Sequence, residues 1–438
     1  MNTTLESWRF NNDTRSSWQI VYPCLTTVFA CTWTIIHLRV PRHGSCAWLT
    51  STQKLTGWLM TLLVPEGVGY WAAVELTQAR ALVRRYSLAE LESNRRTPEP
   101  TSWLYKRTRP LFEMEELGTA KLHPPPAKWT LSRCFAIFAG GLAIETEDGW
   151  IFHVGVDAAH KLIECGIVRS SDFNDGDIDG RAKSDWFAKG FAVLQSTWIL
   201  ISIIARAWCH LPITPLELST IAYVVCGLLI YAVWWYKPQD MTLPVTVYLP
   251  CARLNLSGEV KAITDRYPQG WVHRRVIPRP LYADPVLWKV GGRNLSNKVS
   301  LKEELFILNV AGIGGLTFCG LHVIAWNFPF PTHAELVAWR VFSLTSLAIV
   351  SVFYIAAQLL FTLRVLAKTG RPLPKRLMNL VGLEQNAMSI KEHLARYLLL
   401  IIYSVARFGM VALTLSSLRA LPTGCYSTLT WWESVPHI

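Results

Sequence analysis

The sequence predicts an all-α membrane protein with six transmembrane helices, one further re-entrant or kinked segment, and a small cytosolic α+β module. Three observations carry that prediction. Of 438 residues, 51% are apolar and only 17% charged, whereas an ordinary soluble domain is about a quarter charged. The apolar residues gather into uncharged runs long enough to cross a bilayer, since a helix rising about 1.5 Å per residue needs about 20 residues for about 30 Å of hydrocarbon. Almost all basic residues lie between those runs. This composition excludes a disordered chain, and the length of the runs favours lipid over a very large soluble core.

A polar N-terminus, 1–18, is expected outside the cytosol. The first span, 19–38, holds no Asp, Glu, Lys or Arg. No basic n-region or small-residue cleavage site precedes it, so it reads as a retained anchor rather than a signal peptide. Further spans are expected at 190–206, 216–236, 305–328, 341–363 and 397–418. Lys189 and Arg206 are placed to snorkel at the ends of one span, and Arg407 is the single charge inside the last. The stretch 55–74 differs, because Pro65 and Glu66 fall at its middle and Lys54, Arg80, Arg84 and Arg85 flank its two ends. Cations at both flanks place both on the cytosolic side, and Pro65 removes a helical hydrogen bond at the bend. A re-entrant or kinked segment is the result.

With both termini outside, the inner segments 39–54, 77–189, 237–303 and 364–396 hold 37 of the 43 Lys and Arg residues. The tail 419–438 lies outside. The net charge of +12 then reads as positive-inside bias and attraction to anionic lipid. The lipid bilayer is the expected partner; nucleic acid is not, because no compact basic fold is visible.

Within 77–189, residues 86–128 are polar and proline-bearing and read as an irregular connector. Order resumes in a hairpin module at 129–165. The runs 135–144 and 150–154 flank Glu147-Asp148-Gly149, and Asp-Gly between β-prone runs is a strong hairpin signal; a helix is expected over 156–165. The segments 237–303 and 364–396 read as cytosolic loops.

Asn2 and Asn12 head glycosylation sequons on the extracytosolic side. Asn255 and Asn294 also head sequons, but in cytosolic loops, where they stay bare. Ten Cys without a CxxC argue against a metal-thiolate centre, and only Cys209 and Cys425 lie near the outer face, which allows at most one disulfide.

Several constellations bear on chemistry. Asp175-x-Asp177-x-Asp179-Gly180 matches the first half of a calcium loop, but Arg181, Lys183 and Trp186 occupy the positions that should supply its remaining ligands. His153, Asp157, His160 and Glu164 would share a stripe only if all were helical, and the hairpin puts His153 on a strand. No metal site or cofactor is expected. Thr214-Pro215-Leu216-Glu217 has the form of a capping box, with a proton donor at the membrane edge as the competing role for Glu217. Lys237 and Asp240, after an aromatic belt at 234–236, are candidates for a lipid headgroup or ligand. Glu66 and Arg407 are charges at membrane depth, each about 16–18 Å of helix from the nearest flanking cation, and are expected to pair there, fixing the packing or lining a polar pocket.

Five stretches are distinctive: Gly140-Gly141-Leu142-Ala143-Ile144-Glu145; residues 183–198, KSDWFAKGFAVLQSTW; residues 211–240; residues 320–328, GLHVIAWNF; and the ending Pro436-His437-Ile438. Through them the chain resembles, over most of its length after about residue 50, a large and mostly uncharacterised group of multi-pass membrane proteins of filamentous fungi. Some members are associated with secondary-metabolite gene clusters. The resemblance implies a fungal endoplasmic reticulum, other endomembrane or plasma membrane, and an accessory role in secondary metabolism as scaffold, carrier or retention partner, with biosynthetic enzymes or lipophilic intermediates as partners. It carries over no catalytic residue, and the pattern of the short fungal membrane terpene cyclases is absent.

Two alternatives stay open. One is a membrane-bound enzyme such as a terpene cyclase or isomerase, with Glu66, Glu217 or Asp240 as acid, because a carboxylic acid in an apolar site can be held protonated. The other is a transporter or channel. The absence of a GxxxxGK[ST] phosphate loop speaks against an ATP-driven pump, and the lack of a soluble catalytic domain against a haem monooxygenase.

Overall fold

The computed structural model describes residues 4–10, 14–43, 47–96, 128–181, 186–266, 270–274, 300–369 and 390–428. Among them are twelve α-helices: α1 Ser17–Thr34, α2 Ala47–Leu63, α3 Pro65–Arg96, α4 Leu131–Phe138, α5 Val156–Glu164, α6 Asp175–Arg181, α7 Trp186–Trp208, α8 Pro215–Val233, α9 Gly258–Asp265, α10 Leu301–Ile324, α11 His333–Lys368 and α12 Ile390–Ser417. The strands are β1 Leu5–Glu6, β2 Leu142–Thr146, β3 Trp150–His153, β4 Val245–Leu249, β5 Trp271–His273 and β6 Leu421–Pro422. The sequons at Asn2, Asn12 and Asn294 lie outside the described residues.

Five helices, α7, α8, α10, α11 and α12, are long and apolar enough to cross a bilayer. Six were expected. The first expected span becomes α1, which is 18 residues long, contains Pro23 and reaches only about 27 Å. Its threonines lower its hydropathy, and they satisfy their hydroxyls internally: Thr27 donates to the Pro23 carbonyl at 2.6 Å and Thr34 to that of Ala30 at 2.6 Å. Val352, Ile355 and Leu359 on α11, and Leu398, Ile401, Val405 and Phe408 on α12, are each more than half exposed. Apolar faces of that extent need a cover that water does not supply.

The helices begin where local chemistry dictates. Ser16, Thr214, Ser300 and Thr332 each cap a helix with a Gln or Glu three residues on, in reciprocal capping boxes that satisfy orphan backbone donors at both positions. The 55–74 stretch is two helices separated by Val64. They form a V around α8. Tyr223, midway along α8, bonds the carbonyl of Leu62 at the tip, whereas Gly69 has moved to the level of Ile230. Lys54 on one arm and Glu75 on the other pair with Asp240 and Lys237, which lie together just beyond α8. The tip therefore points into the bundle.

Helix α3 does not stop at the expected connector. It continues through residue 96 because Leu82, Tyr86, Ala89 and Ser93 keep helical spacing on one buried face. Against that face packs a module with a four-stranded sheet of order β4-β2-β3-β5. The β2–β3 hairpin closes through Glu147-Asp148-Gly149, with Gly149 at φ +78°, as the Asp-Gly signal requires. Residues 135–138, expected within the first strand run, instead finish α4. β4 pairs parallel to β2, and parallel neighbours need a long crossover, supplied here by α5–α8. The segment expected to be a loop, 237–303, thus contributes β4, α9 and β5 to the module.

At the opposite end, β1 pairs antiparallel with β6, and Arg15 donates its amide to the Tyr426 carbonyl at 3.0 Å. The N- and C-terminal segments lie side by side.

Candidate functional site

The V tip is where the chain's backbone needs most help. A helix end leaves its last carbonyls without intrahelical partners, and Pro65 has no N–H to give. Side chains from two other helices fill the gap: Tyr223 Oη donates to Leu62 O at 2.6 Å and Arg407 Nε to Leu63 O at 2.9 Å. The Arg407 cation at the C-terminal end of α2 also suits that helix dipole, as Glu66 in the first turn of α3 suits the other. The guanidinium carbon lies 4.1 Å from the centroid of the Phe318 ring, a desolvated cation–π contact.

Glu66 takes its hydrogen bond from Tyr403 Oη through Oε1, and its Oε2 is buried with no partner among the described residues. Gly315 on α10 makes room for it: a Cβ there would stand 3.2 Å from Glu66 Cβ and 2.9 Å from Val350 Cγ1. Glu66 and Arg407 converge on Tyr403 but form no ion pair with each other. Arg407 is instead committed to the α2 carbonyl and the Phe318 face, so the expected pair is a relay of neighbours rather than a contact.

Lys237 and Asp240 are both engaged internally. Lys237 Nζ reaches Glu75 Oε2 at 2.6 Å and the His37 carbonyl at 3.3 Å, and lies 4.2 Å from the Trp234 ring. Burial pushes its amine below the ordinary range, against the opposing pull of the Glu75 carboxylate. Glu75 in turn accepts from Trp71 Nε1 at 2.9 Å. Asp240, at φ +47°, is paired with Lys54 at 2.5 Å, and that lysine lies over Trp33. These pairs clamp α1, α2, α3 and the end of α8 together, and Asp240 Oδ1 is buried with no hydrogen-bond partner among the described residues.

Glu217 is buried between its own capping partner Thr214, whose amide and hydroxyl it accepts at 2.9 and 3.0 Å, and Arg15 at 2.5 Å. Arg206 beside it spans the carbonyls of Pro212, Gly424, Cys425 and Ser427. The geometry is a structural cap joining the N-terminal segment, α8 and the C-terminal segment. Cys209 and Cys425 are free thiols, one exposed and one buried.

In the module, the calcium-like run is the helix α6, and Asp175 receives Arg133 Nε and Nη2 at 3.0 and 3.1 Å. His153 stands on β3, away from the Asp157, His160 and Glu164 stripe of α5; its Nε2 accepts the His43 amide at 3.1 Å, and burial, with His43 and Arg42 nearby, pushes it down to about 3. His160 meets Glu164 at 3.1 Å. No group of residues suited to a metal occurs among the described residues.

A family model matches residues 2–252 and 297–438. The chain belongs to DUF8562, a family of unknown function. No curated protein matches it, and no solved structure does. Glu66, Tyr403, Arg407, Lys237, Asp240 and Glu217 all fall within the DUF8562 match, whereas α9 and β5 lie in the segment between its two parts.

Of the residues that build the V-tip site of this DUF8562 member, sequence reasoning found Glu66 and Arg407 and missed Tyr403, Tyr223, Phe318 and Gly315. One signal was available: Tyr403 stands four residues before Arg407, on the same helical face. Glu75, the partner of Lys237, was hidden as one of four acids along α3.

Proposed function

We propose that this protein is a multi-pass membrane protein that holds a lipophilic molecule at the V tip, serving as a carrier or retention partner for such intermediates. The observation that carries the reading is the partnerless Glu66 Oε2, buried at a helix break inside the bundle. Irregular backbone at membrane depth is tolerated where it is buried in protein or lines a cavity, and an acidic group there is a functional candidate by default. A free carboxylate oxygen calls for a hydrogen-bond donor, so the molecule held is an apolar one bearing a hydroxyl.

The side-by-side terminal segments favour an even number of crossings. This supports α1 as a sixth span beside the five apolar helices, with α2 and α3 entering and leaving on one side. The module then lies with most of the basic residues on the cytosolic face. Placement in a fungal endomembrane or plasma membrane, and a role in secondary metabolism, rest on the sequence resemblance.

The test is extraction of lipophiles that co-purify with the protein in detergent, read by mass spectrometry. Wild type should retain a hydroxylated apolar compound that Glu66→Leu releases; identical profiles for the two proteins would overturn the reading. A second reading, a membrane enzyme, is favoured by the Tyr403–Glu66 hydrogen bond, which provides a path for a proton between phenol and carboxylate. Microsomes bearing this protein alone, given prenyl or polyketide precursors, would form a new product that Glu66→Gln abolishes.

A further inference from the structure

The module carries a cleft of about 380 Å³ at the edge of its buried core, lined by Asp148, Trp150, Arg253, Leu254, Lys261 and Asp265 among others. Arg253 lies over two indoles: its guanidinium carbon is 4.5 Å from the Trp150 centroid and 4.9 Å from that of Trp271. Its backbone is fixed as well, since the Arg253 amide donates to both carboxylate oxygens of Asp148 at 3.1 Å, and the Thr146 hydroxyl donates to the same carboxylate at 2.6 Å.

Cation–π contacts with aromatic rings use none of a guanidinium's N–H donors, which lie in its own plane. None of these N–H groups makes a hydrogen bond among the described residues. A planar cation held rigid with a full set of unspent donors is the arrangement that recognises phosphate oxygens. Lys261, exposed on α9, adds a second cation to the same cleft.

The remaining charges narrow the class. Asp148 also lines the cleft, and the Arg253 amide and Thr146 hydroxyl that bond it hold it ionised, so it offsets part of the Arg253 charge, as Asp265, four residues after Lys261 on α9, offsets part of that lysine's. The cleft therefore suits a singly charged group better than a dianion. Leu254, 88% exposed at the rim, offers apolar surface beside the cations.

We propose that this cleft binds a phosphodiester, with the phosphate on the Arg253 guanidinium and the ester substituent over Leu254. Such a group comes either from a bilayer phospholipid or from a soluble glycerophosphodiester. The proposal is independent of the V-tip reading, because it uses none of the same residues.

The experiment is calorimetric titration of the full chain in a maltoside detergent with dihexanoylphosphatidylcholine, glycerophosphocholine and inorganic phosphate. Either diester should bind more tightly than inorganic phosphate. Lys261→Gln, a change at an exposed side chain, should weaken the diester by roughly ten-fold, and Arg253→Met by more, as lost hydrogen bonds to a charged group require. Leu254→Ser should weaken the lipid and spare glycerophosphocholine if the lipid is the source; equal binding of both ligands that Leu254→Ser leaves unchanged, or binding by glycerophosphocholine alone, identifies the soluble ester. No binding of either diester, tighter binding of inorganic phosphate, or unchanged binding in both Lys261→Gln and Arg253→Met overturns the proposal.

Discussion

Tyr403 on α12 donates its phenolic hydrogen bond to Oε1 of Glu66 in the first turn of α3, across the break that separates α3 from α2. The same helix sends Arg407, one turn further on, to the carbonyl that ends α2. A single face of α12 thus closes both halves of an interrupted helix pair, and it leaves one carboxylate oxygen over.

Glu66 should be coupled to Tyr403 more strongly than to Arg407. Tyr403→Phe removes a hydrogen bond to a charged group and should cost about 1.5–3 kcal/mol, measured by unfolding in detergent. In double-mutant cycles, the coupling between Glu66→Gln and Tyr403→Phe should exceed that between Glu66→Gln and Arg407→Gln. Equal couplings would restore the direct Glu66–Arg407 pair.

Glu217 should matter for stability alone. Glu217→Gln leaves the part-buried Arg15 and the buried Arg206 without their carboxylate, a change that costs up to about 3–5 kcal/mol when a buried pair is broken from one side. The fraction that remains folded should retain the same lipophiles as wild type. A selective loss of the bound compound at unchanged stability would make Glu217 part of the functional site.

The Lys237–Glu75 pair should show the asymmetry of buried ion pairs. Lys237→Met or Glu75→Gln alone strands a charge or an acceptor, at about 3–5 kcal/mol, whereas Lys237→Met combined with Glu75→Leu should recover most of that loss. Thermal unfolding of the three variants decides it: additive losses would mean that each side chain acts through its other contacts, with His37 or with Trp71.

The module should lose stability in acid through His153. Its imidazole is pushed from the ordinary 6.5 down to about 3 by burial, with the nearby His43 and Arg42 acting in the same direction. Below pH 6.5 the unfolded chain takes up a proton that the folded chain refuses until about pH 3. Stability is therefore fully present above that window and falls as pH drops through it, by at most about 1.4 kcal/mol per pH unit. His153→Gln keeps an acceptor for the His43 amide and does not titrate, so its unfolding midpoint should depend less on pH; an unchanged slope would place the titration elsewhere.

How much of this was legible depends on the range of the interaction. Capping at Thr214, the Asp-Gly hairpin and the break at Pro65 are set within a few residues and could be read directly. The role of α3 beyond residue 86 could not, because its polar outer face masks the buried line of Leu82, Tyr86, Ala89 and Ser93. Nor could the parallel pairing of β4 with β2, whose partners are about a hundred residues apart. At the V tip the charges were conspicuous as charges, but their partners, a tyrosine, one backbone carbonyl and an aromatic face, have no signature in the sequence. A count of charged residues alone did not separate α1 from the five more apolar helices, because it ignores the hydroxyl and amide side chains that α1 carries.

Two adjacent glycines on α10 offer a test in which neighbouring substitutions should have opposite signs. A Cβ at Gly314 meets nothing nearer than the Leu229 methyl groups at 4.0 Å, so Gly314→Ala should gain up to about 1 kcal/mol from reduced backbone freedom in the unfolded chain. A Cβ at Gly315 would press on Val350 at 2.9 Å and on the Glu66 side chain at 3.2 and 3.3 Å. Gly315→Ala should therefore cost about 1–3 kcal/mol, as overpacking does, and displace Glu66 from Tyr403. Trimming Val350→Ala alongside it removes one of the two clashes, so stability should partly return while the Glu66 contact stays disturbed. Retention of the co-purifying compound separates the two effects: if Gly315→Ala with Val350→Ala is stable and still holds it, the position of Glu66 is not what the bound molecule reads.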